Sequence, residues 1–360
     1  MRKSLSANLT ILIVISLLCT TCKKDDDNND YNTRQPYAWA VGHQDSTGYG
    51  TILFSPDYGE TWTRQGVGLA GLRGVDLINV LATGNSTVWA VGAEGSIFKT
   101  TDAGQNWARM AGPQVPEGTE FMSVSEAGSS TVWISGSNGF VISTSDGGSS
   151  WTVYDTTIFR SGMMQGICVV NEEIVYVVGG VSSQKGLRGL IGYTADGGQT
   201  WDTVQLPNNY NRHEWIGASS YGPENIVIYG MQGHYTYTSD GGASWTNDST
   251  GIGGGNQGAD INCLKMLSPQ TWWASLDYDH IAITHDSGIS WTEQGSAGPS
   301  NMFLVGLDHY NENYALVAGQ SAGWPMKGKI LRTSNGGAEW KLVYDSDTWI
   351  VKVSFVQAAD

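Results

Sequence analysis

Apolar residues along this chain come in short runs, each interrupted within a few positions by Gly, Asp, Ser or Asn. Such runs predict β-strands bounded by turns, and no helical recurrence is visible. Two series of runs align with one another. One reads LRGVDLINV (Leu72 to Val80), TEFMSVS, SGMMQGICVV, HEWIGASS, ADINCLKM and NMFLVGLD; the other reads TVWAVG, TVWISG, IVYVVGG, NIVIYG, TWWASL and NYALVAG. A third run leads into a turn and a fourth leaves it, so each unit predicts a small four-stranded antiparallel meander.

The turn between the third and fourth runs is a repeated box. Its copies are SPDYGETW, TTDAGQNW, TSDGGSSW, TADGGQTW, TSDGGASW, THDSGISW and TSNGGAEW, ending at Trp62, Trp107, Trp151, Trp201, Trp245, Trp291 and Trp340. The intervals between these tryptophans are 45, 44, 50, 44, 46 and 49 residues, a period that suits propeller blades. Asp beside Gly closes a tight turn, because the carboxylate accepts backbone N–H groups just ahead while Gly takes a positive φ. The Trp then supplies a large apolar face. Seven copies around a ring cannot all be one ligand site. Asp57, Asp102, Asp146, Asp196, Asp240 and Asp286, with the tryptophans, are therefore assigned a structural role, and Asn335 in the seventh box keeps the turn while losing the charge.

The two ends of the repeat complement each other. PYAWAVG (Pro36 to Gly42) is a second strand lacking its first, and WIVKVSFVQ (Trp349 to Gln357) is a first strand lacking its second. Joined, they complete a blade and remove two open edges. The expected fold is an all-β, seven-bladed propeller over residues 36–360, closed by pairing of the C-terminal strand with the N-terminal strands.

Composition agrees with an all-β chain: 48 Gly and 15 Trp, with 15% charged residues, among 360. Ahead of the repeat, Arg2, Lys3 and the apolar run Leu9 to Leu18 predict a signal peptide over 1–21. Cys22, followed by Lys23-Lys24-Asp25-Asp26-Asp27, resembles the modified cysteine of a bacterial lipoprotein. Residues 22–35 then form an acidic tether. An outer-membrane lipoprotein is expected, reaching the cell surface through the acidic run Asp25 to Asp30, with a periplasm-facing or secreted protein as the alternative. Without residues 1–21 the chain has 17 basic and 34 acidic side chains, a net charge of −17, which disfavours nucleic acid as a partner. Cys168 and Cys263 occupy equivalent places in blades that are not neighbours, so unbonded buried thiols are expected rather than a disulfide. No metal-ligand spacing and no cofactor motif is present, and a monomer is expected.

VWAVGAEGSIFKTTDAGQNW (Val88 to Trp107) and TVWISGSNGFVISTSDGGSSW (Thr131 to Trp151) resemble the Asp-box, or BNR, β-propellers, most of all the photosystem II stability and assembly factor type. The resemblance covers nearly all of residues 36–360. It is specific for the fold and weak for activity, because such propellers include sialidases, xyloglucan-degrading enzymes, sorting receptors and non-enzymatic assembly factors. The assembly-factor group implies a binding scaffold with an arginine-bearing face. Arg73, Arg160 and Arg212 stand in the connections into first strands, a thin set on an acidic chain.

In a closed propeller, the connections from second to third strand and from fourth strand to the next blade share one face. Three of the former look long: His43 to Tyr49, Val181 to Gly189 and Gln320 to Gly328. Insertions on one face of a repeat array are where binding usually lives. The expected binding residues are His43, Asp45, Lys185, Arg188, Trp324 and Lys327, with Arg73, Arg160, Arg212, His213, His234, Asp277 and Asp279 around the rim. Trp215 and Trp349 begin inner strands and are assigned to the core. The expected function is a non-enzymatic binding or assembly scaffold for a protein segment or glycan. Its rival is a glycoside hydrolase, for which Asp260, Asp277, Asp279 and Glu214 would supply the two facing carboxyl groups. Against a sialidase, Arg34-Gln35-Pro36-Tyr37 departs from the Arg-Ile-Pro that the family shows near its start.

Overall fold

The computed structural model describes residues 36–126, 131–154, 158–159, 162–183, 186–206, 213–253, 258–294, 302–321 and 327–356. Seven antiparallel sheets of four strands each make a seven-bladed β-propeller. Blades 2 to 7 each use four consecutive strands, beginning at Leu77–Ala82, Phe121–Ser125, Gly162–Val169, Trp215–Tyr221, Ile261–Met266 and Met302–His309. Blade 1 takes its second, third and fourth strands from Ala38–Gln44, Gly50–Ser55 and Thr63–Gln65, and its first from Ile350–Phe355. Ala38 pairs with Phe355 and Val41 with Lys352, so the two ends of the repeat zip together as expected. Each first strand packs on the first strands of the blades before and after it, and Ile350–Phe355 joins Leu77–Ala82 to Met302–His309. The first strands thus encircle the central channel, and the ring has no open end.

Burial follows position in the blade. Second strands such as VWAVG, VWISG and WWASL are buried at every residue, because blades cover both of their faces and continuous apolar runs result. Fourth strands such as Thr152–Val153 are exposed and short. Seven apolar clusters fill the spaces between blades, and Trp39, Trp89, Trp133, Trp272 and Trp273 of the second strands are at most 2% exposed. The second strands end in Gly for a reason other than turning. Gly92 is extended (φ −177°), but a Cβ there would stand 2.1 Å from the Asp76 carbonyl. Gly42, Gly136, Gly179, Gly230 and Gly319 meet the carbonyl of the matching residue in their own blades at 2.0 to 2.3 Å. Close approach of the first strand accounts for Gly in these six blades, and blade 6 has Leu276 at the equivalent place.

The boxes form one hydrogen-bond pattern. The hydroxyl of Ser55, Thr100, Thr144, Thr194, Thr238, Thr284 or Thr333 accepts the N–H of the box Gly at 2.8 to 2.9 Å and donates to the next box Asp or Asn. That Asp accepts the N–H four residues on and, through its second oxygen, the side chain of the same residue, as Asp196 does with Thr200. Hydrogen bonds from Ser150 and Thr144 hold Asp146 well below the usual carboxylate range; the matching bonds put Asp196 and Asp240 at about 2. Asn335 still accepts the N–H of Glu339 at 3.0 Å, as the conserved turn requires. The box Gly also stitches blades together: at Gly198 (φ +87°) a Cβ would fall 2.4 Å from Tyr154 and 2.9 Å from Trp133, both in the preceding blade.

Two expectations need correction. Val181 to Gly189 is a continuation of the hairpin, with Val181 paired to Arg188 and Ser183 to Gly186, because the backbone pairing of the second and third strands runs on without a break from Val175 opposite Thr194. Cys168 and Cys263 are unbonded and buried, but they are not equivalent. Counted from the residue that opens each first strand, Met163 and Asp260, Cys168 lies two places further on than Cys263.

Candidate functional site

The box turns lie on one face of the propeller. The opposite face carries the starts of the first strands and the turns between second and third strands, and here the channel opens. Seven structurally equivalent residues open the first strands. The carbonyls of Trp349, Asp76, Glu120, Glu214 and Asp260 each accept the backbone N–H that follows the second-strand end, from His43, Ala93, Ser137, Met231 and Asp277 at 2.9 to 3.1 Å. The carbonyls of Met163 and Phe303 occupy the same place against Gly179 and Gly319. The residues after these seven, from Ile350, Leu77 and Phe121 to Met164, Trp215, Ile261 and Leu304, are buried between blades. The seven themselves are half-buried or exposed, as strand alternation requires.

The mouth's electrostatics concentrate in two sectors. In blades 5 and 6, Asp260 accepts the Gln232 N–H at 2.6 Å, and Asp277 accepts the Asn262 side-chain N–H at 2.8 Å. Burial, reinforced by the charge of Asp260, pushes the carboxyls of Glu214 and Asp277 up despite hydrogen bonds from Gln165 and Asn262. An open cavity of about 340 Å³ lies here, lined by Met231, Gln232, Gly258, Ala259, Asp260, Asp277 and Tyr278. Beside it the rings of His213 and His234 lie 3.9 Å apart, and burial lowers both their pKa values, with His213 adding to the effect on His234. In blades 1 and 2, the His43 ring packs at a tilt against Trp349, with centroids 4.4 Å apart, and its Nδ1 lies 3.9 Å from Asp76. Burial lowers the His43 pKa against the pull of Asp76 and Glu120.

The expected binding residues divide accordingly. His43, His213, His234 and Asp277 are at the mouth. Asp279 ties blade 6 to blade 7 through the Met302 backbone. Asp45 holds its own turn, accepting from Thr47 and Tyr49, and accepts from Arg64 at 2.8 Å. Arg73 bridges to Tyr49 and is exposed; Arg188 is exposed on the extended hairpin. Lys327 pairs with Asp347 at 3.4 Å. Arg160, Lys185, Arg212, Trp324 and Cys22 lie outside the described residues. Trp215 is core, fully buried, whereas Trp349 is half-buried at the mouth, a difference that follows from the one-residue offset between them along their strands. Asp76, Glu120, Met163 and Phe303 were not singled out by sequence. Their signal is positional only: each directly precedes a buried inner-strand residue, Leu77, Phe121, Met164 or Leu304.

Deeper in the channel, Lys352 Nζ stands 3.1 Å from Cys263 Sγ. Burial opposes the Cys263 thiolate, but Lys352 and Lys265 outweigh it and hold the thiol below its ordinary value, whereas burial pushes Cys168 up. Among the described residues no group of three or more His, Cys, Asp and Glu is placed to hold a metal ion.

The class defined by this architecture is the seven-bladed propeller with four-stranded blades, and solved structures share it. Similar folds include YCF48 bound to D1 peptide (TM-score 0.57, 19% identity, covering 74% of this chain and 80% of that one). YCF48 from Cyanidioschyzon merolae is also similar (TM-score 0.59, 15% identity, 83% and 96%). So is the GH74 xyloglucanase from Xanthomonas campestris (TM-score 0.64, 12% identity), of which the match covers 53% and which matches 91% of this chain. No model of a protein family matches the chain, and no curated protein does.

Proposed function

We propose that the chain is a non-enzymatic binding or assembly scaffold that takes a segment of another protein on the face where the channel opens. The observation that carries this reading is the change in character between equivalent positions: the box face repeats one pattern seven times, while the seven residues of the mouth combine aromatic, aliphatic and acidic side chains on one accessible ring. Mixed aromatic and polar surfaces of this kind suit recognition of a polypeptide. The shared fold of YCF48, which has been solved with a bound peptide, supports the same reading. A phage-displayed random peptide library tests it. Binders are expected that Phe303→Ala and Met163→Ala abolish and that Ile289→Ala, on the box face, leaves intact. An empty selection beside a positive glycan array overturns it.

One observation favours glycoside hydrolysis as a second reading: Asp277, raised by burial, lines an open cavity with Asp260, and Glu214, also raised by burial, holds the equivalent ring position in the neighbouring blade. Turnover of a xyloglucan oligosaccharide that Asp277→Asn abolishes would establish it. For location, we propose a lipid-anchored protein at the outer cell surface, attached through Cys22, on the strength of the amino-terminal pattern. Metabolic labelling with an alkyne fatty acid is expected to mark the protein and to fail with Cys22→Ser.

A further inference from the structure

Going round the mouth from blade 1, the seven equivalent positions read Trp349, Asp76, Glu120, Met163, Glu214, Asp260 and Phe303. Carboxylates therefore stand in two adjacent pairs, Asp76 with Glu120 and Glu214 with Asp260. Met163, 42% exposed, separates the pairs on one side, and the aromatic Phe303 and Trp349 separate them on the other. No Lys or Arg occupies the ring. Exposed apolar side chains continue outward from it: Tyr278 is 66% exposed and its ring lies 6.3 Å from Phe303, and Met231 is 37% exposed at the neighbouring cavity.

A second, independent feature lies at the seam of blades 7 and 1. Gln320 is 8% exposed, and its Oε1 has no hydrogen-bond partner among the described residues. It pairs across strands with Phe303, so the two side chains lie on the same side of blade 7. Trp349 Nε1 is likewise shielded from water without an acceptor among the described residues. A buried acceptor and a buried donor left unpaired both oppose folding, and a ligand that pairs them removes that cost. A stretch of polypeptide backbone offers both an N–H and a C=O, which a simple cation does not.

We propose that the channel mouth binds an extended peptide segment carrying two or more Lys or Arg side chains in an otherwise apolar stretch. The cationic side chains lie on the two carboxylate pairs, the apolar ones contact Met163, Phe303 and Trp349, and the backbone meets Gln320 and Trp349. This rests on the peptide-binding reading above and gives its partner a chemistry. The chain's net charge of −15 steers such a segment towards the protein and repels acidic ones.

Fluorescence anisotropy of the full chain with three labelled peptides tests it, the peptides sharing one apolar sequence and differing only in carrying Lys, Gln or Glu at the same positions. The Lys peptide is expected to bind at least about tenfold more tightly than the Gln peptide, with affinity falling as salt rises. Neutralising one pair, Glu214→Gln with Asp260→Asn, is expected to weaken it by about tenfold. Asp76→Asn with Glu120→Gln provides the same reading on other blades, should the first variant fold poorly. Equal binding of the Lys and Gln peptides, or no effect of neutralisation in variants that keep their circular dichroism, overturns the proposal. So does spermine displacing the Lys peptide at matched charge concentration, since that makes the ligand a polycation rather than a peptide. If none of the three binds while the random library yields binders, the basic-peptide inference fails and the peptide-binding reading stands. If the library is also empty, both fail.

Discussion

The two faces of the ring are built from the same seven units, yet they treat their repeated positions in opposite ways. On the box face, the hydroxyl to Gly N–H bond keeps one length within 0.1 Å across all seven blades. At the mouth, it is a backbone carbonyl that is constant, and the side chain on the same residue is Trp, Asp, Glu, Met or Phe. The box needs its side chains to make the turn, so they change only where the bond is kept, as with Ser55 for Thr and Asn335 for Asp. At the mouth the bond shared by the blades is main chain, and the side-chain bonds, such as Gln232 N–H to Asp260 and Gln44 N–H to Asp76, differ from blade to blade, so the side chains there are free to differ. Repetition of a side chain marks a task within the blade, and divergence on a constant backbone marks a surface.

The largest effect that separates the faces is expected beneath the boxes. Trp133→Ala should cost about 3–5 kcal/mol in denaturant unfolding, because a fully buried indole between blades 3 and 4 is lost. Met163→Ala at the mouth should cost far less. Gly198→Ala should cost about 2–3 kcal/mol, since a Cβ would enter Tyr154 and Trp133 and sit at φ +87°. Acid should act on the box face first. The folded pKa values of Asp196 and Asp240, about 2, lie below the ordinary value of about 3.9. Their stabilisation is therefore present above pH 4 and is lost as pH falls from about 4 to about 2. The midpoint of urea unfolding should drop across that window, and Asp196→Asn with Asp240→Asn should flatten the drop.

A smaller effect is expected in the seventh box, where Asn335 faces Glu339 at the place that Thr, Asn or Ser fills elsewhere. A carboxylate at 335 would meet another carboxylate and find no side-chain donor. Asn335→Asp alone should destabilise by about 0.5 kcal/mol, and Glu339→Ser should reverse the sign, a coupling that a double-mutant cycle reads directly. The smallest effect belongs to the mouth: Asp76→Asn and Asp260→Asn should each change stability by less than about 0.5 kcal/mol. A large loss there would mean that the ring residues support the fold, and the distinction between the faces would fail.

Most of the fold was readable along the chain, because each blade is bounded by the same box and Ile350–Phe355 lacks a partner that Ala38–Gln44 also lacks. The count and the closure followed. The reason for the second-strand Gly was not readable, since a carbonyl that approaches Gly92 from Asp76 is set by packing and leaves no local trace. The extended hairpin at Val181 to Arg188 passed for a loop because Ser182, Ser183 and Gly186 are turn-like residues in a strand. The mouth was only partly readable. His43, His213, His234 and Asp277 were found through their places in connections, but Asp76, Glu120, Met163 and Phe303 share a backbone position and no chemistry. Asp45 was taken for a ligand contact because its turn, with Thr47 and Tyr49 as donors, cannot be told from a free acid by residue type.

The joint between Ile350–Phe355 and Ala38–Gln44 also orders the birth of the molecule. Six whole blades precede that strand on the chain, so a polypeptide threading out of a ribosome carries the bare margin of Ala38–Gln44 until Ile350–Phe355 has emerged. For that interval a passing β-segment from another copy could latch on in its place. Safe maturation therefore depends on the finishing strand arriving before a neighbour does, a hazard of crowding during synthesis that the strength of the finished ring does not remove.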